Sequence, residues 1–310
     1  MPNYLENLTL RLAHGVAELP EPLRRRQAAY LLRSQRDDGG FAGREGASDL
    51  YYTSFGLRGL ALLGELDGEP ANKAADFLRN QLAGQTPLID FISLLFAGTL
   101  LHTASGIDVF ADAAPDWRQS VANLFARFRR PDGGYAKTDE GQSSSTYHSF
   151  LVTVAMELLG CPHADTDRLV EFVRSRHRPD GGFVEIGPMR NSGTNPTAAA
   201  AGLLTTLHAF DDELREGVVD FMAGMQTDEG GLKANTRIPL ADLLSTFTGL
   251  LTLADLGATD AVDLAPARQY VLSLETDGGF RGGAWDEAAD VEYTFYGLGA
   301  LAIASDVSPR

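Results

Sequence analysis

The sequence predicts an all-α protein, an α6/α6 barrel (α/α toroid) of six helical hairpins, and three observations carry that prediction. A turn of an acid or polar residue, two glycines and usually an aromatic recurs as DDGGF (Gly39, Gly40, Phe41), PDGGY (Gly133, Gly134, Tyr135), PDGGF (Gly181, Gly182, Phe183), DEGGL (Gly230, Gly231, Leu232) and TDGGF (Gly278, Gly279, Phe280). The first glycines stand 94, 48, 49 and 48 residues apart, and a fixed period near 48 across a chain means one supersecondary unit repeated. Each turn also follows an amphipathic stretch and precedes a stretch that is apolar nearly all round.

The elements follow in chain order. YLENLTLRLAHGVAEL, Tyr4 to Leu19, is predicted as an extra helix within residues 1–20. The hairpins then fall at about 24–66, 70–104, 116–161, 165–210, 212–257 and 263–304, and the 94-residue gap places a worn turn near Thr86. The first stretch of each hairpin carries an aromatic, namely Tyr30, Phe77, Phe125, Phe172, Phe221 and Tyr270 in turn. Apolar residues there recur at three and four with Arg and Gln between, which makes an outer helix with one wet face. The second stretches, such as SFGLRGLALLG and TFYGLGALAIA, are rich in Gly, Ala, Ser and Thr. They must be covered on most sides, as inner helices are. Asp-Gly-Gly suits the turn because Gly takes positive φ without strain and Asp bonds nearby amides. The aromatic after it is expected to staple the turn to the neighbouring repeat. Six repeats, a small-residue inner wall, no polar capping repeat and an end just after the sixth inner helix favour a closed ring over an open solenoid. No linker interrupts the period, so residues 1–310 read as a single domain.

A net charge of −16 argues against nucleic acid and anionic membranes as partners. There is no run of 18 apolar residues and no leader with a cleavage site. A single cysteine, Cys161, excludes an internal disulfide framework and fits a reducing compartment. These features together predict a cytoplasmic protein.

Six hairpins joined by Gln-x-x-Asp-Gly-Gly-aromatic turns, as at Gln35 to Phe41, resemble the repeat of protein prenyltransferase β subunits and of squalene and terpene cyclases. The resemblance covers about residues 24–304 and is closest in GGFRGGAWDEAADVEYTFYGLGALAIA. It implies a barrel whose funnel holds an isoprenoid chain against aromatic walls, with chemistry at the N-terminal ends of the inner helices. Prenyltransferases of this kind hold zinc with an Asp-x-Cys at the fifth inner-helix start and a His at the sixth. Asp242 matches that Asp, but Leu244 stands at the Cys position and Tyr293 at the His position. Zinc needs three or four N, S or O ligands, so the expectation is an absence of zinc. The basic residues that the family places before Asp-x-Cys read Thr236 and Pro239 here, leaving Lys233, Arg237 and Arg281 as the nearest diphosphate-binding candidates. Class II terpene cyclases protonate an alkene with the middle Asp of Asp-x-Asp-Asp-Thr-Ala. Asp242-Leu-Leu-Ser-Thr246 keeps only the first Asp and the Thr.

Aligning the six inner-helix starts gives Asp49, Asp90, Ser145, Asn195, Asp242 and Asp290. Asp, Ser and Asn are favoured N-caps, and capping is the plainer role for the set. The alternative is that the four carboxylates Asp49, Asp90, Asp242 and Asp290 hold Mg²⁺ or raise one another's pKa. One turn further in stand Tyr51, Tyr52, Tyr147, His148, Glu292, Tyr293 and Tyr296, with Phe247 nearby. Their rings suit an isoprenoid or a carbocation made from it, or simply fill the centre. The functional expectation is a zinc-independent isoprenoid transferase or cyclase. Its catalytic candidates are Asp242, Asp290, Glu292, His148 and Tyr293. The alternative is a catalytically silent toroid binding a lipid, a protein partner or a second copy of itself.

Overall fold

The computed structural model describes residues 3–82 and 87–305. The worn turn expected near Thr86 lies outside the described residues. The first helix is α1 (Tyr4–Ala17), and hairpins follow as outer and inner pairs. They are α2 (Glu21–Ser34) with α3 (Leu50–Leu63), α4 (Gly68–Gln81) with α5 (Leu88–Ser105), and α6 (Trp117–Ala126) with α7 (Thr146–Leu159). Next come α8 (Thr166–Arg174) with α9 (Thr194–Thr206), α10 (Asp212–Ala223) with α11 (Leu243–Asp255), and α12 (Leu264–Ser273) with α13 (Val291–Ser305). Two short antiparallel ladders set Tyr135 opposite Ser145 and Glu275 opposite Phe280.

The chain forms two compact units. One contains Pro115–Ala267 with the residues up to Leu5, and the other runs from Glu6 to Ala114 and from Arg268 onward. In the first, α9 lies between α7 and α11. In the second, α3 lies between α13 and α5. Glycines let these inner helices approach: a Cβ on Gly15 of α1 would stand 2.7 Å from the Ala302 carbonyl oxygen of α13. The predicted extra helix is therefore present and packs on the sixth inner helix. By length and mean hydropathy α5 is apolar enough to cross a membrane, although Asp90 and His102 interrupt its apolar run. It packs against α3 and α4, so the same apolar character also serves an inner helix.

The turns are joined to the inner helices by a repeated hydroxyl. The backbone N–H of Phe41, Tyr135, Phe183, Leu232 and Phe280 donates to Thr53, Ser149, Thr197, Thr246 and Thr294 at 2.9, 2.9, 2.8, 2.9 and 3.1 Å. In four of the five, that hydroxyl in turn donates to the carbonyl of its helix's N-terminal flanking residue, as Thr246 does to Asp242 at 2.7 Å. The staple is placed differently from the expectation. The aromatic after the glycines seats on its own inner helix, where a Cβ on Gly56 would stand 2.6 Å from the Phe41 ring. The neighbouring repeat is reached through the second glycine. A Cβ on Gly40, Gly134, Gly182 or Gly279 would stand 2.7–2.8 Å from Phe77, Phe172, Phe221 or Tyr30. The bare glycine face is what admits the next outer helix.

Candidate functional site

The inner helices begin at the end where each turn delivers its loop, and capping fixes which side chains stand there. Asp49, Ser145 and Asp242 are N-caps, accepting the backbone N–H of Tyr52, His148 and Ser245. Asp290 does the same for Tyr293 N–H at 2.9 Å. Two positions of the six are corrected. The flanking residues of α5 and α9 are Pro87 and Gly193, so Asp90 and Asn195 lie inside the first turn. Pro and Gly offer no side-chain acceptor, and Asn195 instead accepts from Thr248 at 2.7 Å.

In the unit that contains α3 and α13, Glu292 is the centre of a built constellation. Its Oε1 accepts from the Tyr51 hydroxyl at 2.7 Å and from the Tyr296 hydroxyl at 3.0 Å. Burial pushes the Glu292 carboxyl up, the two tyrosine hydrogen bonds pull it down, and the charge of Asp290 adds to the rise. A group buried with a neighbouring carboxylate holds its proton longer than an exposed acid does. Rings surround it: Tyr51 meets Phe55 at 5.0 Å, and Phe55 meets Tyr296 at 5.3 Å between centroids. Tyr52 packs edge-on to Tyr51, and Tyr293 lies 6.1 Å from Tyr296. Asp290 is also pushed up, first by burial.

Two residues that the sequence reading did not name complete this place. Arg44 bonds Asp286 with two nitrogens and reaches Asp290 Oδ2 at 3.3 Å. The signal that would have flagged Glu292 more sharply lies in the sixth start. Asp290-Val-Glu292-Tyr-Thr294 keeps an acid at the middle position that the cyclase comparison tested only at the fifth start.

In the other unit, Ser145 joins two titratable groups. Its hydroxyl donates to Glu185 Oε1, accepts the His148 backbone N–H, and lies 2.9 Å from His148 Nδ1. With its one proton directed at Glu185, Ser145 accepts from Nδ1–H, which leaves Nε2 as the basic nitrogen. Burial, followed by Lys137, lowers the His148 pKa to about 4. This makes it a neutral and weak base. Asp242 sits among donors, receiving Ser245 N–H at 2.7 Å and Ser245 hydroxyl at 2.8 Å. Burial still pushes it up. Tyr147 is exposed and stacks edge-on to His148. Phe247 is buried.

Of the predicted cations, Lys233 and Arg237 belong to the same unit. Arg281, in the other unit, donates to the Asp286 carbonyl at 2.8 Å. Among the described residues no group of three or more His, Cys, Asp and Glu is gathered for an ion, and the Mg²⁺ reading of Asp49, Asp90, Asp242 and Asp290 finds no such group. Asp290 has Arg44 as its counter-ion. The zinc positions fit no better, since Leu244 has no donor atom and Tyr293 offers only a phenol.

The sequence matches the family model "Prenyltransferase alpha-alpha toroid domain" over residues 23–89 and 94–308. The β subunit of protein farnesyltransferase from Pisum sativum is 27% identical over 198 residues, 61% of this chain and 45% of that protein. The chain thus spans about half the length of that relative. Among solved structures, Candida albicans protein geranylgeranyltransferase-I complexed with GGPP superposes with a TM-score of 0.71 at 17% identity, covering 90% of each chain. A type II terpene cyclase from Scytonema, with geranylgeranyl dihydroxybenzoate as substrate, gives 0.63 at 16% identity over 96% of this chain and 99% of that one.

Proposed function

We propose, from the premise that this chain belongs to the prenyltransferase alpha-alpha toroid family, that it is a zinc-independent enzyme acting on an isoprenoid by proton transfer from Glu292. The observation that carries this reading is the buried Glu292 carboxyl, clasped on one oxygen by Tyr51 and Tyr296 and set among aromatic rings. Both tyrosines occupy Oε1, so the protonated acid carries its hydrogen on Oε2. An alkene π pair takes that proton and becomes a carbocation, while the O–H pair stays on Glu292 as carboxylate. The two phenols then stabilise the new negative charge, which is where preorganised donors matter most. The faces of Phe55, Tyr51 and Tyr296 suit the cation. The substrate lies, on this reading, along the inner helices with an alkene at Oε2. Cys161 as the one cysteine supports a reducing compartment.

Two measurements test this. Native metal analysis should find no stoichiometric zinc, and one zinc per chain sinks the zinc-free part. Incubation with labelled farnesyl and geranylgeranyl diphosphate, and with the corresponding uncharged polyprenyl esters, should give cyclised product from wild type. Glu292→Gln should still bind substrate and make no product. Binding without turnover in the wild type would instead favour a silent lipid-binding toroid, and full activity in Glu292→Gln would discard the acid.

A further inference from the structure

Arg44 lies on the loop between the first glycine turn and α3, yet its guanidinium serves the sixth repeat. Its Nη1 is 2.6 Å from Asp286 Oδ1, Nη2 bonds Asp286 Oδ2, and Nε is 3.3 Å from Asp290 Oδ2. Asp286 is held from its own loop by Gly282 N–H at 3.0 Å, and Asp290 Oδ1 by Tyr293 N–H at 2.9 Å. The guanidinium also lies 5.9 Å from the Tyr293 ring centroid. Asp290 and Glu292 are thus two carboxyls at one helix start that differ in partners. Among the described residues, Arg44 is the one cation in ion-pair contact with either of them. The other titratable groups around the pair are Tyr51, Tyr52 and Asp49 of α3 and its cap, Tyr30 of α2, Asp286, and Tyr293 and Tyr296 of α13.

We propose that Arg44 is a positioning residue that fixes the negative charge of the Asp290–Glu292 pair on Asp290, and so keeps the proton on Glu292. Asp290 and Glu292 stand two residues apart at one helix start, and the charge of Asp290 raises the Glu292 carboxyl. One proton added to the pair therefore goes to the site that lacks a direct counter-ion. The guanidinium pairs with Asp290 directly. It lowers the Glu292 carboxyl only through space, and the two phenols lower it through their hydrogen bonds. The ion pair, which among the described residues Asp290 has and Glu292 lacks, is what leaves the proton to Glu292. Without Arg44 the two sites become near equals and the proton divides between them. The inference rests on the reading of Glu292 as the acid, and it adds the agent that selects it.

Infrared difference spectroscopy of the carboxylic C=O stretch tests this without any substrate. In the wild-type protein the protonated-carboxyl band should vanish in Glu292→Gln and persist in Asp290→Asn. In Arg44→Met, with Arg44→Gln as a second variant in case the first misfolds, the Glu292 band should fall about twofold or more as the proton is shared. Adding Asp290→Asn to that background removes the competing acid and should return the Glu292 band to its full intensity. Arg44→Lys should restore the wild-type assignment. A band that stays wholly on Glu292 in both Arg44 variants overturns this proposal alone. If the wild type shows no band removable by Glu292→Gln, the proposal falls together with the acid.

Discussion

His148 and Glu292 are both buried at inner-helix starts, and burial moves them toward the same neutral state from opposite sides. His148 is drawn down to about 4, below the value of about 6.5 for an unfolded chain. Its contribution to stability is therefore complete above about pH 6.5 and is lost as pH falls toward about 4, a difference on the order of 3 kcal/mol. His148→Gln should flatten the loss of thermal stability over that window, which a series of melting curves at stepped pH will check. Tyr51 donates to the Glu292 carboxylate and pulls its pKa down. Tyr51→Phe should consequently raise the Glu292 titration midpoint, read from the same carboxyl band in the infrared. The tyrosines and Glu292 were legible because they stand one turn into the first, third and sixth inner helices, at positions that the repeat marks. Arg44 and Asp286 were not, because a contact across 242 positions leaves no trace in a period of 48. Asp90 and Asn195 misled for a related reason: a good capping residue was taken as the cap, although the helices start at Pro87 and Gly193.

Each hairpin depends on a few backbone groups that its turn would otherwise leave orphaned. Thr246 is fully buried and satisfies both Leu232 N–H and the Asp242 carbonyl. Thr246→Val keeps the shape and strands that N–H, so urea unfolding should show a loss of about 1–3 kcal/mol. Thr103→Val, at an exposed hydroxyl that donates to the Thr99 carbonyl, should stay within about 0.5 kcal/mol of wild type. The glycines divide in the same way. Gly181 has φ of 85° and a Cβ there would collide with the Gly217 carbonyl, whereas Gly46 has φ of 91° and open space around it. Gly46→Ala should cost about 1–2 kcal/mol from backbone strain alone, and Gly181→Ala distinctly more in the same unfolding assay. The period, the turn and the helix pair were all readable from spacing. Which ring meets which glycine was not. Gly40 is bare for Phe77, a residue on another helix, and a missing side chain does not say whose ring it admits.

For the molecule entire, a net charge of −16 opposes compactness through self-repulsion. Added salt screens that repulsion, so the melting temperature should rise as sodium chloride is increased from about 0.01 to 0.15 M. A flat or falling response would contradict this. The glycine faces and buried hydroxyls that hold turns, outer helices and inner helices together share almost no atoms with Glu292, Tyr51, Tyr296 or Arg44. Architecture and reactivity are therefore separately heritable in this chain. Substituting Glu292, Tyr51, Tyr296 or Arg44 leaves the glycine and hydroxyl contacts of the scaffold in place. At Gly40, Gly134, Gly182 and Gly279 the second glycine secures the neighbouring outer helix without drawing on any of those four side chains.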